Sequence, residues 1–215
     1  MRLLVIDTSG PECAAGIYDA GTAQMLSLRS ETIGKGHAEI LPGMIEDAAK
    51  AAATRLKTLD RIAVTVGPGS FTGIRVGVAM ARGLALSLGI PAVGVTTLQV
   101  VAEPALGQAT PVLALIDARR EELYSQLFEA DGASCGEPQA LRYEEARRLA
   151  EHHGALTVGS GARILDGAPS PQIDSIPLQS IGNIGARLAL QTKATPLYIR
   201  GADAKPQTGF AVQHA

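Results

Sequence analysis

Residues able to do chemistry gather where two apolar runs end. The first run is Val5-Ile6-Asp7-Thr8-Ser9, in which a carboxylate and two hydroxyls follow a strand-like segment. Such a group could hold a magnesium ion and phosphate oxygens, or serve only as a capped turn. The second runs from Val64 through Gly67-Pro68-Gly69-Ser70-Phe71-Thr72-Gly73-Ile74-Arg75-Val76 to Gly77, turning through glycines directly into a helix. That geometry aims backbone N–H groups at whatever lies before the helix. Gly67 and Gly69 permit positive φ or close backbone approach, Pro68 presets a turn, and Ser70 or Thr72 can cap the helix. A P-loop would end in Gly-Lys-Ser/Thr, and a dinucleotide fingerprint would have glycine where Thr72 stands. Anion binding and a purely structural corner both remain open.

Other reactive side chains offer less. Ser70 has no Gly-x-Ser-x-Gly elbow around it, and no later histidine stands in a suggestive position for a hydrolase triad. Cys13 and Cys135 form no Cys-x-x-Cys pair and read as free thiols in a reduced, cytoplasmic setting. His152 and His153 are adjacent and point to different faces of a helix, which does not suit a zinc site. Only His37 lies beside a patterned segment.

Hydrophobic periodicity supplies the elements that must hold these residues. Strands are expected at Arg2–Asp7, Ala14–Asp19, Met25–Ile33, Arg61–Val66 and Ala92–Thr96. Helices are expected at His37–Ala53 and Gly73–Leu88, with a further helix running to Ala105. The order βββαβαβ implies one mixed sheet with both apolar helices against it. In the second of these helices Gly73, Gly77, Ala81 and Ala85 recur every fourth residue, a face suited to close packing, either internal or against another helix.

The pattern breaks at Leu106–Pro111 and restarts with strands at Val112–Asp117 and Glu122–Glu129, a helix at Tyr143–His152, a strand at Leu156–Gly159 and a helix at Ile184–Leu190. Both halves open on an apolar strand ending in Ile-Asp, which suggests a duplicated α/β unit. Residues 1–106 and 107–200 are the expected units, Ala168–Pro177 an expected loop, and 201–215 an expected mobile tail. The 215 residues are 46% hydrophobic but only 3% aromatic, with a formal net charge of -2, so neither a stacking platform for single-stranded nucleic acid nor a broad basic field for DNA or membrane is present. The run Leu3-Leu4-Val5-Ile6 is too short for a signal peptide or a membrane span.

Val5-Ile6-Asp7-Thr8-Ser9, His37-Ala38-Glu39-Ile40-Leu41-Pro42, Gly67-Pro68-Gly69-Ser70-Phe71-Thr72-Gly73-Ile74-Arg75, Ile116-Asp117-Ala118-Arg119-Arg120 and Pro196-Leu197-Tyr198-Ile199-Arg200 occur in that order, and together they resemble the bacterial TsaB (YeaZ) family. The resemblance implies an α/β fold of the actin/Hsp70-like (ASKHA) type, with two ribonuclease-H-like lobes, mixed sheets and a reduced second lobe. It also implies a role in threonylcarbamoyladenosine (modified adenosine 3′ of the anticodon) formation on tRNAs reading codons that begin with A. In that system TsaD transfers the threonylcarbamoyl group from its adenylate, and TsaB acts with TsaD and TsaE.

TsaD-like proteins carry two metal-binding histidines, one upstream of the first helix and one at its start. His37 matches the second, and no histidine precedes it. One imidazole alone does not hold a catalytic metal. The resemblance therefore implies a non-catalytic subunit with no metal and no cofactor. It would dock on TsaD through the first two helices, with Leu41, Met44, Ile45, Gly77, Met80, Ala81 and Leu84 as contact residues. Left uncovered, that surface would form a homodimer. tRNA would be met only through the complex. Asp7, Thr8, Ser9, Gly67, Gly69 and Ser70 would be a vestigial nucleotide or phosphate site. The competing reading is an active ATPase or threonylcarbamoyl transferase using those same residues; a metallopeptidase would need ligands the sequence lacks.

Overall fold

Strand β1 (Arg2–Asp7) is apolar on both faces because both are covered. It pairs antiparallel with β2 (Glu12–Asp19), which pairs antiparallel with β3 (Gln24–Thr32), and it pairs parallel with β4 (Arg61–Thr65), which pairs parallel with β5 (Ala92–Val95). The sheet order is β3-β2-β1-β4-β5. The computed structural model describes residues 1–168, 176–190 and 192–199. The expected tail, residues 201–215, and most of the expected loop at Ala168–Pro177 lie outside them.

Alternation along β1 sorts the core. Leu4 and Ile6 face helices α1 (His37–Ala51) and α2 (Phe71–Leu88), where they meet Leu41, Ile45, Ile74, Val78 and Ala81. Leu3 and Val5 face the other way, toward Val100 of α3 (Thr97–Ala102) and Ile181 of a helix much later in the chain. Pro42 lies inside α1, one turn past its start, and lacks the N–H that would otherwise meet the Ala38 carbonyl, while Gly89 closes α2 in the left-handed region, its N–H on the Ala85 carbonyl. Thr96 and Gln99 form a reciprocal capping box at the start of α3.

The second sheet comprises β6 (Val112–Asp117), β7 (Glu122–Phe128), β8 (Ser134–Arg142) and β9 (Leu156–Val158), in the order β8-β7-β6-β9. Like the first sheet, it pairs its opening strand antiparallel with the next strand and parallel with a later one. Helices α4 (Tyr143–His153) and α5 (Ser160–Leu165) cover one face. α3 covers the other, through Leu98 and Ala102. Two mixed sheets of this pattern, the second smaller, make the two-lobed actin/Hsp70-like fold.

Sequence periodicity does not show β8 or α5. β8 is an exposed edge strand broken by Gly136 and Pro138 and bulged against β7, so it carries no apolar alternation. α5 is too short to establish a helical period. Helix α6 (Leu178–Arg187) begins earlier than the expected Ile184–Leu190 and ends at Arg187. It lies on the first sheet, not the second: Ile181 is fully buried among Leu3, Val5 and Ala63. The Arg61 guanidinium fixes its end, donating from Nη1 to the carbonyls of Gly185 at 2.6 Å and Leu188 at 2.8 Å. The first sheet ends in sequence at Val95 and the second begins at Val112, while α6, later in the chain, returns to the first sheet.

α2 has the length and apolar character to cross a membrane by composition alone. Its small-residue row is nevertheless committed within the fold. A Cβ on Gly73 would strike the Thr8 carbonyl, and one on Gly77 would strike the Thr8 hydroxyl. Ala81 is fully buried in the sheet-facing core. The row lets α2 lie close against the end of β1.

Candidate functional site at the ends of strands β1 and β4

The carboxyl ends of the parallel strands β1, β4 and β5 fall together at Asp7, Thr65 and Val95. In open α/β sheets this is the side on which ligands bind. Asp7 is 1% exposed there, and its Oδ1 accepts from the Thr65 hydroxyl at 2.5 Å, the Ser9 hydroxyl at 2.7 Å and the Ser9 N–H at 3.1 Å. Burial pushes the Asp7 carboxyl above the ordinary carboxylate range, against the opposing pull of those bonds and of nearby His37. Thr8 is fully buried and donates its hydroxyl to the Gly73 carbonyl at 2.8 Å.

The glycine turn folds onto this strand end. The Ser70 N–H donates to the Ser9 carbonyl at 2.6 Å, and the Ser70 hydroxyl caps α2 by accepting the Gly73 N–H at 3.2 Å. Gly69 is glycine because a Cβ would run into the Ser9 carbonyl. Gly67 has φ of 104°, and its carbonyl accepts the Thr97 N–H at 2.9 Å. The structure therefore brings together Asp7, Thr8, Ser9, Gly67, Gly69 and Ser70, as the sequence suggested, but turns their donors inward. The Ser9 hydroxyl donates to Asp7, the Thr8 hydroxyl to the Gly73 carbonyl and the Ser70 amide to the Ser9 carbonyl.

His37 is buried at the start of α1, with Nε2 3.2 Å from the carbonyls of both Gly10 and Glu12. Two acceptors at one ring nitrogen require that nitrogen to carry the proton, so Nε2 is a donor and not a ligand. His37 pins α1 to the β1–β2 turn. Cys13, in the same core, has its thiol pushed up to about 11 by burial, with Asp7 and Glu31 adding to the shift, and is unreactive at neutral pH.

The expected docking residues divide. Leu41, Met44, Ile45, Gly77 and Ala81 are buried against the sheet, which corrects their assignment to an outer surface: the apolar periodicity that singled them out marks the core face. Met80 and Leu84 are half-buried. The outer face of α2 instead carries Phe71 (44% exposed), Arg75, Ala79, Arg82 and Leu86 (87% exposed). Thr65, the third donor to Asp7, was signalled only as a hydroxyl within an otherwise apolar strand. Arg61 carried no signal as the cap of a helix far along the chain.

Comparisons with known proteins agree with this architecture. The profile of the TsaD family, described as tRNA N6-adenosine threonylcarbamoyltransferase, matches residues 30–155. The tRNA threonylcarbamoyladenosine biosynthesis protein TsaB of Escherichia coli is 37% identical over 133 residues, 61% of this chain and 56% of that protein. TsaB of Haemophilus influenzae is 34% identical over 174 residues, 75% of this chain and 72% of that protein. Measured by these alignments, the chain spans little more than half the length of the Escherichia coli relative. The solved structure of YeaZ from Pseudomonas aeruginosa superposes with a TM-score of 0.70 at 26% identity, covering 92% of this chain and 99% of that one. Sequence and fold agree that this chain belongs to the TsaB (YeaZ) family.

Proposed function

We propose that this chain is a non-catalytic accessory subunit in the formation of threonylcarbamoyladenosine on tRNA, supporting a TsaD-type transferase. The observation that carries this reading is the inward satisfaction of the Asp7-Thr8-Ser9 strand end, above all the Ser70 N–H on the Ser9 carbonyl. A catalyst in this fold needs those groups free to meet phosphate. His37 supports the same reading, since its Nε2 proton is committed to backbone carbonyls.

The subunit acts by docking. α1 and α2 lie side by side on one face of the sheet, and the outward face of α2 presents Phe71, Ala79 and Leu86 beside Arg75 and Arg82. TsaD is the proposed partner, TsaE joins the assembly, and the chain alone forms a homodimer through the same face. tRNA is met through the complex, in the cytoplasm. Sedimentation of the chain with purified TsaD, and calorimetric titration of the chain alone with Mg-ATP and with zinc, test this. A heterodimer weakened by Leu86→Asp, with no heat from ATP or metal, is the expected result. Stoichiometric ATP or metal binding, with turnover lost in Asp7→Ala, would instead favour the ATPase or transferase reading.

A further inference from the structure

A cavity of about 430 Å³ lies on the α3 and α6 side of the first sheet, away from α1 and α2, among three stretches distant in sequence. One wall is α3 with the short helical turn Glu103–Ala105 that follows it, another is the end of β7 with the Asp131-Gly132 turn, and the third is the end of α6. α6 packs on the first sheet and the β7 turn belongs to the second, so the cavity sits between the lobes. None of its residues belongs to the Asp7–Ser70 corner or to the outer face of α2.

The polar groups of this cavity are held in place. Glu103 accepts the Ser180 hydroxyl at Oε2 and the Asn183 Nδ2 at Oε1, each at 2.8 Å. Asn183 is itself fixed, its Oδ1 accepting from the Tyr18 hydroxyl at 2.6 Å and from Gln179 Nε2 at 3.1 Å. The Glu103 side chain is 18% exposed, and each carboxylate oxygen has capacity for a further donor. A carboxylate locked by its neighbours in this way is preorganised for a ligand. Arg187 stands on the same wall, its Nε donating to the Asn183 carbonyl at 3.1 Å and its Nη2 3.8 Å from Glu103 Oε1, an ion pair too long for a hydrogen bond. From the second lobe comes Asp131, in a turn pinned by the Gly107 N–H on the Ala130 carbonyl and by the Ala133 N–H on Asp131 Oδ1, both at 2.9 Å. Leu106, Phe128, Ile184 and Leu188 supply the apolar part of the lining.

Two carboxylates and one guanidinium in a single cavity select a ligand by its charge pattern. A simple anion would meet Glu103 and Asp131, and a simple cation would meet Arg187. A zwitterion offers its carboxylate to Arg187 and its ammonium to the two acids, while an aliphatic side chain takes the apolar lining. We propose that this interlobe cavity binds a free aliphatic α-amino acid. The occupant bridges α6 on the first sheet and the β7–β8 turn on the second, and so stiffens the lobes against each other. The site is independent of docking on TsaD.

Calorimetric titration of the full chain with L-leucine tests it. A Kd of about 0.1 mM is expected, with leucinamide, which lacks the carboxylate, and N-acetyl-leucine, which lacks the ammonium, each at least about tenfold weaker. Arg187→Met and Asp131→Asn are each expected to weaken leucine binding about tenfold. Both variants should melt within a few degrees of wild type, because Arg187 is exposed and asparagine keeps an oxygen for the Ala133 N–H. Absence of heat with leucine up to about 10 mM, a hundred times the expected Kd, would overturn the proposal. So would leucine binding that leucinamide or N-acetyl-leucine equals, or that both substitutions leave unchanged.

Discussion

The Ser70 amide donates to the Ser9 carbonyl across 2.6 Å, tying the corner that opens α2 to the end of β1. The N-cap amide of α2 is thereby committed to the protein's own backbone, and the Gly73 N–H to the Ser70 hydroxyl. Gly69 and Gly73 make the contact possible, because each lies against a carbonyl of the Thr8-Ser9 segment.

Gly69→Ala and Gly73→Ala should each cost about 3 kcal/mol, since the new methyl meets backbone that cannot step aside. Ser70→Ala loses a single cap and should cost about 1 kcal/mol. Urea midpoints of the variants check the order, which inverts if the turn is loosely held.

Asp7 gives a pH signature. Its carboxyl is raised in the folded state, so the fold binds the proton more tightly than the unfolded chain and this contribution favours low pH. It is fully present below the unfolded value and lost as pH rises through the folded one. Asp7→Asn keeps an oxygen for Thr65 and Ser9 and removes the charge, so its stability relative to wild type should improve from pH 4 to pH 8. Asp7→Ala leaves the Thr65 and Ser9 donors unpaired and should cost about 2 kcal/mol at either pH. Urea melts of the proteins at both pH values measure this.

Gly77→Leu and Ala81→Arg should unfold the chain or lower its melting temperature by well over 10 °C, because both side chains would enter the core between α2 and β1. Arg82→Glu and Leu86→Asp, on the exposed face, should melt within a few degrees of wild type. Circular dichroism melts separate the two pairs.

Arg61→Met should release the end of α6, leaving the Gly185 and Leu188 carbonyls without their donor, at a cost of about 3 kcal/mol. Faster amide exchange in α6 than in α2 would locate the loss.

Strands β1, β2 and β4 and the long helices of the first lobe were legible because each is buried in a regular pattern: β1 as a continuous apolar run, α1 and α2 through periodic apolar and small residues. The same regularity misled the choice of docking residues. Periodicity marks the face turned to the core, and Gly77 and Ala81 are small because Thr8 and β1 lie against them. The candidate site was legible as a set, Asp7 to Ser9 with Gly67 to Ser70, because glycine and hydroxyl residues at strand ends announce tight turns. Whether those groups faced outward was not, since that depends on the Ser70–Ser9 bond between segments 61 positions apart. Arg61 with Leu188 and Tyr198 with Arg75 were hidden for the same reason, as neither partner stands near the other in sequence.

The central claim, that this chain supports the transfer without performing it, is tested most directly by reconstituting threonylcarbamoyladenosine formation from purified TsaD, TsaE, tRNA and threonylcarbamoyl-adenylate. Yield should fall to background when the chain is omitted, and should return fully with wild type, Ser70→Ala or Asp7→Asn. A folded Asp7→Asn or Ser70→Ala protein that binds TsaD normally yet gives no modified tRNA would contradict the claim and place chemistry at the Asp7–Ser70 corner.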